Sequence, residues 1–242
     1  MKKLARPSLL LLALLTPAAL AQGNPISGNP LSGNPLSSIF DRVAGQAESG
    51  QPAPAAVTPA NEKVLTYKPS ARVSGELRTL FVEQLVTGAR QKGTLTAANE
   101  KAIRDGFGRV DIAAEYGKLL KPRGYDVYNV ATALTLYVVS SFEVLDGVQT
   151  TDAQDRATYE QFRGALLTIP GVARMTDADK QKFAEGLMWL TAFQSNDVEQ
   201  AKKGTPGYSL EKVRAQIKGT LQGFRLDPDR IRLGEKGLQA RK

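Results

Sequence analysis

Cysteine and histidine are both missing from this chain of 242 residues. Without cysteine there are no disulfide staples, so packing alone must hold the fold. The same absence excludes a lipobox and therefore a lipoprotein anchor. Without histidine, Ser-His-Asp and Cys-His catalysis are excluded, as are HExxH sites and the usual zinc constellations. The enzyme chemistries left would rest on Asp, Glu, Ser, Thr, Lys or Tyr, or on a metal held by oxygen ligands. Aromatic residues are few, at 7%, with a single tryptophan. Long apolar runs are also lacking. The run Leu9–Leu15 is too short for a bilayer, which takes about 20 residues, and no later stretch is longer and apolar enough. A mature protein without an integral span is expected, and the residues point to no cofactor and no metal.

The N-terminus has the three-part layout of a secretory signal. Lys2, Lys3 and Arg6 supply positive charge, Leu9–Leu15 supplies the apolar run, and Pro17 ends it. Ala19 and Ala21 then give an A-x-A arrangement before Gln22, so cleavage is expected after Ala21. The Lys2-Lys3 pair is not a twin-arginine signal, which indicates the general secretory route. The expected location is outside the cytosol, periplasmic or secreted.

The formal charge of +8 becomes +5 once the three leader cations are removed. It is unevenly spread: residues 199–242 carry eleven Lys or Arg against five acids, while residues 22–198 are close to neutral. The plain reading of this basic segment is solubility together with cations near helix C-termini; the functional one is an anionic partner, such as an envelope polymer, a lipid headgroup or nucleic acid. Nucleic acid is disfavoured, because Tyr208 and Phe224 are the only aromatics in that segment and Phe224 continues an apolar face. Nothing in the pattern sets an oligomeric state.

Residues 22–66 read as a disordered spacer. The unit Gly-Asn-Pro-Ile/Leu-Ser starts at Gly23, Gly28 and Gly33, and each copy has too little apolar surface to build a core. A brief helical turn is expected at Ser38–Val43. From 67 to 233 the pattern is helical. Val73, Leu77, Leu80, Phe81 and Leu85 share a face. Thr96 is a candidate N-cap, and a helix from about Asp111 stops at Lys121-Pro-Arg-Gly124. Residues 127–142 carry no formal charge and predict a helix buried on most sides. Tyr159, Phe162, Leu166 and Ile169 mark the next helix. Thr176 with Asp179 resembles a capping box ahead of Phe183, Leu187, Leu190 and Phe193. Ser209 caps a last helix carrying Leu210, Val213, Ile217, Leu221 and Phe224. The fold class expected is all-α: a single bundle of six or seven helices, centred on 127–145 and 177–195, with no convincing strand pair. Residues 234–242 read as a basic tail, with Ile231 and Leu233 docking before it frays.

Few motifs carry chemistry. Ser209-Leu-Glu-Lys212 matches S-x-x-K, but K-T-G and S-D-N are absent, so Ser209 reads as a cap. Asp152-Ala-Gln-Asp155 and Asp227-Pro-Asp229 lack the glycine and ligand rhythm of a calcium loop. Glu143 and Asp146 follow the uncharged helix at a spacing of three. As a pair of carboxylates they are the candidates for glycoside hydrolysis. The plainer alternative places Glu143 on the solvent side of the last turn and Asp146 at the start of a loop.

Three stretches carry a family resemblance: Gly124-Tyr-Asp-Val-Tyr-Asn-Val-Ala-Thr-Ala-Leu with Tyr137 and Phe142-Glu143, Lys182-Phe-Ala-Glu-Gly-Leu, and Arg232-Leu-Gly-Glu-Lys-Gly-Leu238. Over residues 67–238 the chain resembles a family of exported bacterial helical proteins built on a domain of unknown function. The resemblance implies a helical fold and brings no activity and no site residues. The leading expectation is a non-enzymatic binding or structural module of the bacterial envelope. The alternative is a carboxylate-dependent cell-wall glycoside hydrolase.

Overall fold

The computed structural model describes residues 38–49, 62–91 and 93–241. The expected leader, its cleavage residues Ala19, Ala21 and Gln22, and the Gly-Asn-Pro repeats lie outside the described residues. Eight α-helices are described: α1 Ser38–Ser49, α2 Ala71–Gln91, α3 Ala97–Gly108, α4 Ile112–Leu120, α5 Val130–Asp146, α6 Asp152–Leu167, α7 Asp177–Lys202 and α8 Leu210–Gly223. A hairpin of β1 Ile231–Gly234 and β2 Gly237–Ala240 follows.

The helix starts are set by short polar side chains that accept from orphan backbone N–H groups. Thr96 accepts from Asn99 N, Asp111 from Ala114 N, Asn129 from Ala131 N and Ser209 from Lys212 N. Thr151 with Gln154, and Thr176 with Asp179, form reciprocal capping boxes. Gly124 and Gly147 close α4's 3₁₀ extension and α5 in the left-handed region, at φ 78° and 72°.

The long helix α7 and α5, which is uncharged from Val130 to Phe142, pack along each other at the centre. On α5 the buried side chains run round the helix, from Val130 through Leu134 and Val138 to Phe142. Its hydroxyls turn back on their own backbone, Thr135 to Ala131 O and Ser141 to Tyr137 O, both at 2.8 Å. Trp189 on α7 stacks on Phe107 of α3 at 5.1 Å, with Phe81 and Phe193 around it. Aromatic packing of this kind adds to plain area burial. Helix α2 buries Val73, Leu77, Phe81, Val82, Leu85 and Val86, but leaves Leu80 exposed. The inward stripe therefore runs through the i+4 steps of Val73, Leu77, Phe81 and Leu85, and Leu80 falls off it.

The structure departs from the sequence reading at both ends of the helical body. The turn expected at Ser38–Val43 is a helix of 12 residues, and it buries Ile39, Phe40, Val43, Ala44 and Ala47. Those positions make a single apolar stripe, and α6 and the hairpin supply the surface that covers it. At the other end, residues expected to fray form the antiparallel hairpin, with Ile231 opposite Ala240 and Leu233 opposite Leu238. Gln161 of α6 acts like a third strand. Its Nε2 donates to Leu238 O at 3.2 Å, and its Oε1 accepts from Leu238 N at 2.8 Å. Gly237 lets the hairpin lie that close, because a Cβ there would meet Gln161 Oε1 at 2.7 Å.

Candidate functional site

The two acids singled out from sequence lie in the last turn of α5 and turn to different partners. Glu143 Oε1 accepts from Thr150 N and Thr150 Oγ1, both at 2.8 Å, and so closes the 147–150 loop. Thr150 Oγ1 also lies 2.5 Å from Asp155 Oδ1. Asp155 is 4% exposed, and its Oδ2 accepts from Arg123 Nη2 at 2.7 Å. Arg123 in turn pairs with Asp152. Asp146 Oδ1 accepts from Arg241 Nη2 at 2.7 Å, and Arg241 Nε reaches the carbonyls of Pro228 and Ile231. Glu143 thus fastens the loop to α5 while Thr150 links it to Asp155 of α6, and Asp146 fastens the C-terminal hairpin onto α5.

A second constellation escaped the sequence reading. Ser70 and Ser74, one turn apart at the start of α2, face Gln181 and Glu185, one turn apart on α7. Gln181 Oε1 accepts from Ser70 N at 2.9 Å. Gln181 Nε2 lies 2.9 Å from Ser70 O, 2.9 Å from Ser74 Oγ and 2.7 Å from Glu185 Oε1. Ser74 Oγ donates to the same Glu185 oxygen at 2.8 Å. Glu185 is 1% exposed, and its second oxygen, Oε2, has no hydrogen-bond partner among the described residues. Burial pushes its carboxyl above the usual range; the hydrogen bonds from Gln181 and Ser74 pull it down, Asp111 raises it and Arg78 lowers it. Tyr67 lies within electrostatic reach, and its buried hydroxyl is raised first by burial and next by Glu185. Chemically this junction can store a proton on a buried carboxyl. The signal for it was present in the i, i+4 polar pairs set into an otherwise apolar helix face.

A smaller polar seam joins α5 to the far end of α7. Ser141 Oγ lies 3.1 Å from Gln194 Oε1. Beyond it Tyr208 is buried beside Asp197, and burial, followed by that charge, raises its hydroxyl. Among the described residues no group of three or more His, Cys, Asp or Glu is arranged to hold a metal ion, and no helix is long and apolar enough to cross a membrane.

The basic C-terminal segment is partly engaged with the rest of the fold. Arg225 pairs with Asp41 at 3.2 Å and Arg230 with Glu48 at 3.1 Å, tying the C-terminal region to α1. Lys218 pairs with Asp229 at 2.6 Å, and Lys203 with Glu199 at 3.3 Å. Lys212, Arg232 and Lys236 are exposed and form no ion pair with the described residues.

No curated protein and no solved structure matches the chain. A family model does match, across residues 6–241, so its pattern takes in the N-terminal stretch as well as the helical body. The chain therefore belongs to DUF6683, a family of unknown function.

Proposed function

We propose that this chain is an exported, non-enzymatic helical module of the bacterial envelope that contacts an anionic envelope component through its C-terminal segment. The observation that carries this reading is the division of labour among its charges. Glu143 and Asp146, the acids best placed by sequence for hydrolysis, serve as fasteners for a loop and a hairpin. Lys212, Arg232 and Lys236 instead face solvent without an acidic partner among the described residues. Two of the three lie on the hairpin that Asp146 and Gln161 hold in place. Cations fixed on a rigid element bind an anionic surface with less loss of freedom than cations on a frayed tail.

The test is binding of the purified protein to peptidoglycan, lipopolysaccharide and DNA across a salt series. Binding to an envelope polymer that weakens with salt, and that K212E/R232E/K236E loses, is the expected result. Salt-insensitive binding, or none to any of the three, overturns the electrostatic reading. The hydrolase alternative is checked in the same preparations: release of soluble muropeptides that disappears in Glu143→Gln would replace this proposal with an enzyme.

A further inference from the structure

One face of α6 carries a row of three guanidinium groups, and two of them are neutralised. Arg163 pairs with Glu62 at 3.3 Å and with Glu160 at 2.5 Å. Arg123, reaching in from the turn after α4, pairs with Asp155 and Asp152. Between them stands Arg156. It is exposed, and among the described residues it has no hydrogen-bonded or ion-paired acid. Its natural helical partner, one turn earlier at i−4, is Asp152. That carboxylate is taken by Arg123 instead.

Arg156 is nonetheless held in place. Its guanidinium lies 4.6 Å from the Tyr125 ring centroid and 5.6 Å from that of Tyr159. The two rings meet edge to face at 5.3 Å, which fixes the platform. Gly124, whose φ of 78° favours glycine, lies beside it: a Cβ there would be in ordinary contact with Arg156 Nη2, at 3.6 Å. A guanidinium held against aromatic rings loses little further freedom when its N–H groups are used. The geometry is that of an arginine fixed in place with no acid paired to it among the described residues.

We propose that Arg156, on its Tyr125–Tyr159 platform, is a recognition site for a single isolated carboxylate. A planar fork of parallel donors matches a carboxylate in two-point contact. The flanking charges select against denser anions. Asp152, with its side chain 92% exposed, and Glu160 border the site with negative charge. Like charges set side by side disfavour a polyanion. The site is separate from the C-terminal cations of the preceding proposal and stands whether or not that proposal does.

The experiment is an NMR titration of the full chain with 15N-labelled arginine side chains. The probes are N-acetyl-alanyl-alanine, glucuronate, the C-terminal amide of the same dipeptide, and inorganic phosphate. A saturable shift of the Arg156 Nε–H with at least one of the two carboxylates, and none with the amide, is expected. Which carboxylate acts more strongly distinguishes a peptide terminus from a sugar acid. R156Q is expected to weaken binding about tenfold or more. R156K keeps the charge but not the fork, and is expected to weaken it several-fold while leaving the fold intact. K212E/R232E/K236E is expected to leave the response unchanged, which separates this site from the C-terminal segment. The proposal is overturned by no shift with either carboxylate, by an equal shift with the amide, by tighter binding of phosphate, or by R156K binding as well as the native protein.

Discussion

At the residue scale the most consequential side chain is Glu185. It accepts two hydrogen bonds on one oxygen and, among the described residues, none on the other, deep between α2 and α7. Its folded-state value is raised from an ordinary 4.5, first by burial. The native state therefore holds this proton more tightly than the unfolded chain does. That contribution to stability is complete below the unfolded value and is lost as pH rises through the folded one. Glu185→Gln keeps the shape and one acceptor oxygen but cannot ionise. Urea midpoints measured from pH 4 to pH 8 should fall with rising pH more steeply for the native protein than for the variant. Parallel curves would mean that Glu185 does not titrate differently in the two states. Glu185 does not stand out in sequence, because it is one of several charged residues along α7 and does not follow an uncharged stretch as Glu143 does. Its spacing was nevertheless legible: Gln181 and Glu185 recur at four, and so do Ser70 and Ser74. What no single sequence reveals is that the two stripes face each other.

Elements differ in how far their own residues announce them. The caps at Thr96, Thr176 and Ser209 are legible because capping chemistry is local, and at Asp111 the helix start is legible. So is α5, because the uncharged stretch 127–142 that makes up most of it requires cover on most sides. Helix α1 is longer than its sequence suggests, because the low-complexity residues around it hide a stripe whose cover comes from far along the chain, from α6 and the C-terminal hairpin. Phe40 shows the dependence: it stacks on Phe224 at 4.4 Å with the planes 10° apart. Phe40→Ala should cost about 3–5 kcal/mol, the usual range for a buried aromatic truncated to alanine. The check is chemical denaturation, with hydrogen exchange at Leu238 N–H showing whether the hairpin loosens together with α1. The hairpin is not legible from sequence because strands of four residues, each with a glycine at one end, carry almost no periodic signal. Its order is supplied from outside, by Gln161. Gln161→Ala leaves Leu238 N–H and C=O without that partner and should cost about 1–3 kcal/mol, with the loss seen first as faster exchange in β2.

At the scale of the whole molecule, stability and charge are separable. The core joins α1 to the hairpin through apolar contact, and the ion pairs that accompany it, Asp41–Arg225 and Glu48–Arg230, are largely open to solvent. Exposed pairs of this kind contribute roughly 0–1 kcal/mol each and are screened by salt. Apolar burial is not screened. The thermal midpoint should therefore change by only a few degrees when salt is raised from about 0.05 to 0.5 M, a range over which the Debye length shrinks from roughly 14 to 4 Å. Any contact that Lys212, Arg232 and Lys236 make with an anionic polymer should weaken strongly over that same range. Parallel melting and binding curves on one preparation test both statements. A midpoint that falls in step with binding would show that the exposed ion pairs hold the chain ends together, and that the partner grips the same charges that stabilise the fold. A midpoint that stays level while binding fades would place the recognition surface outside the elements that keep the molecule folded. In that case charge-reversing substitutions on the hairpin should remove binding and leave the melting curve where it was.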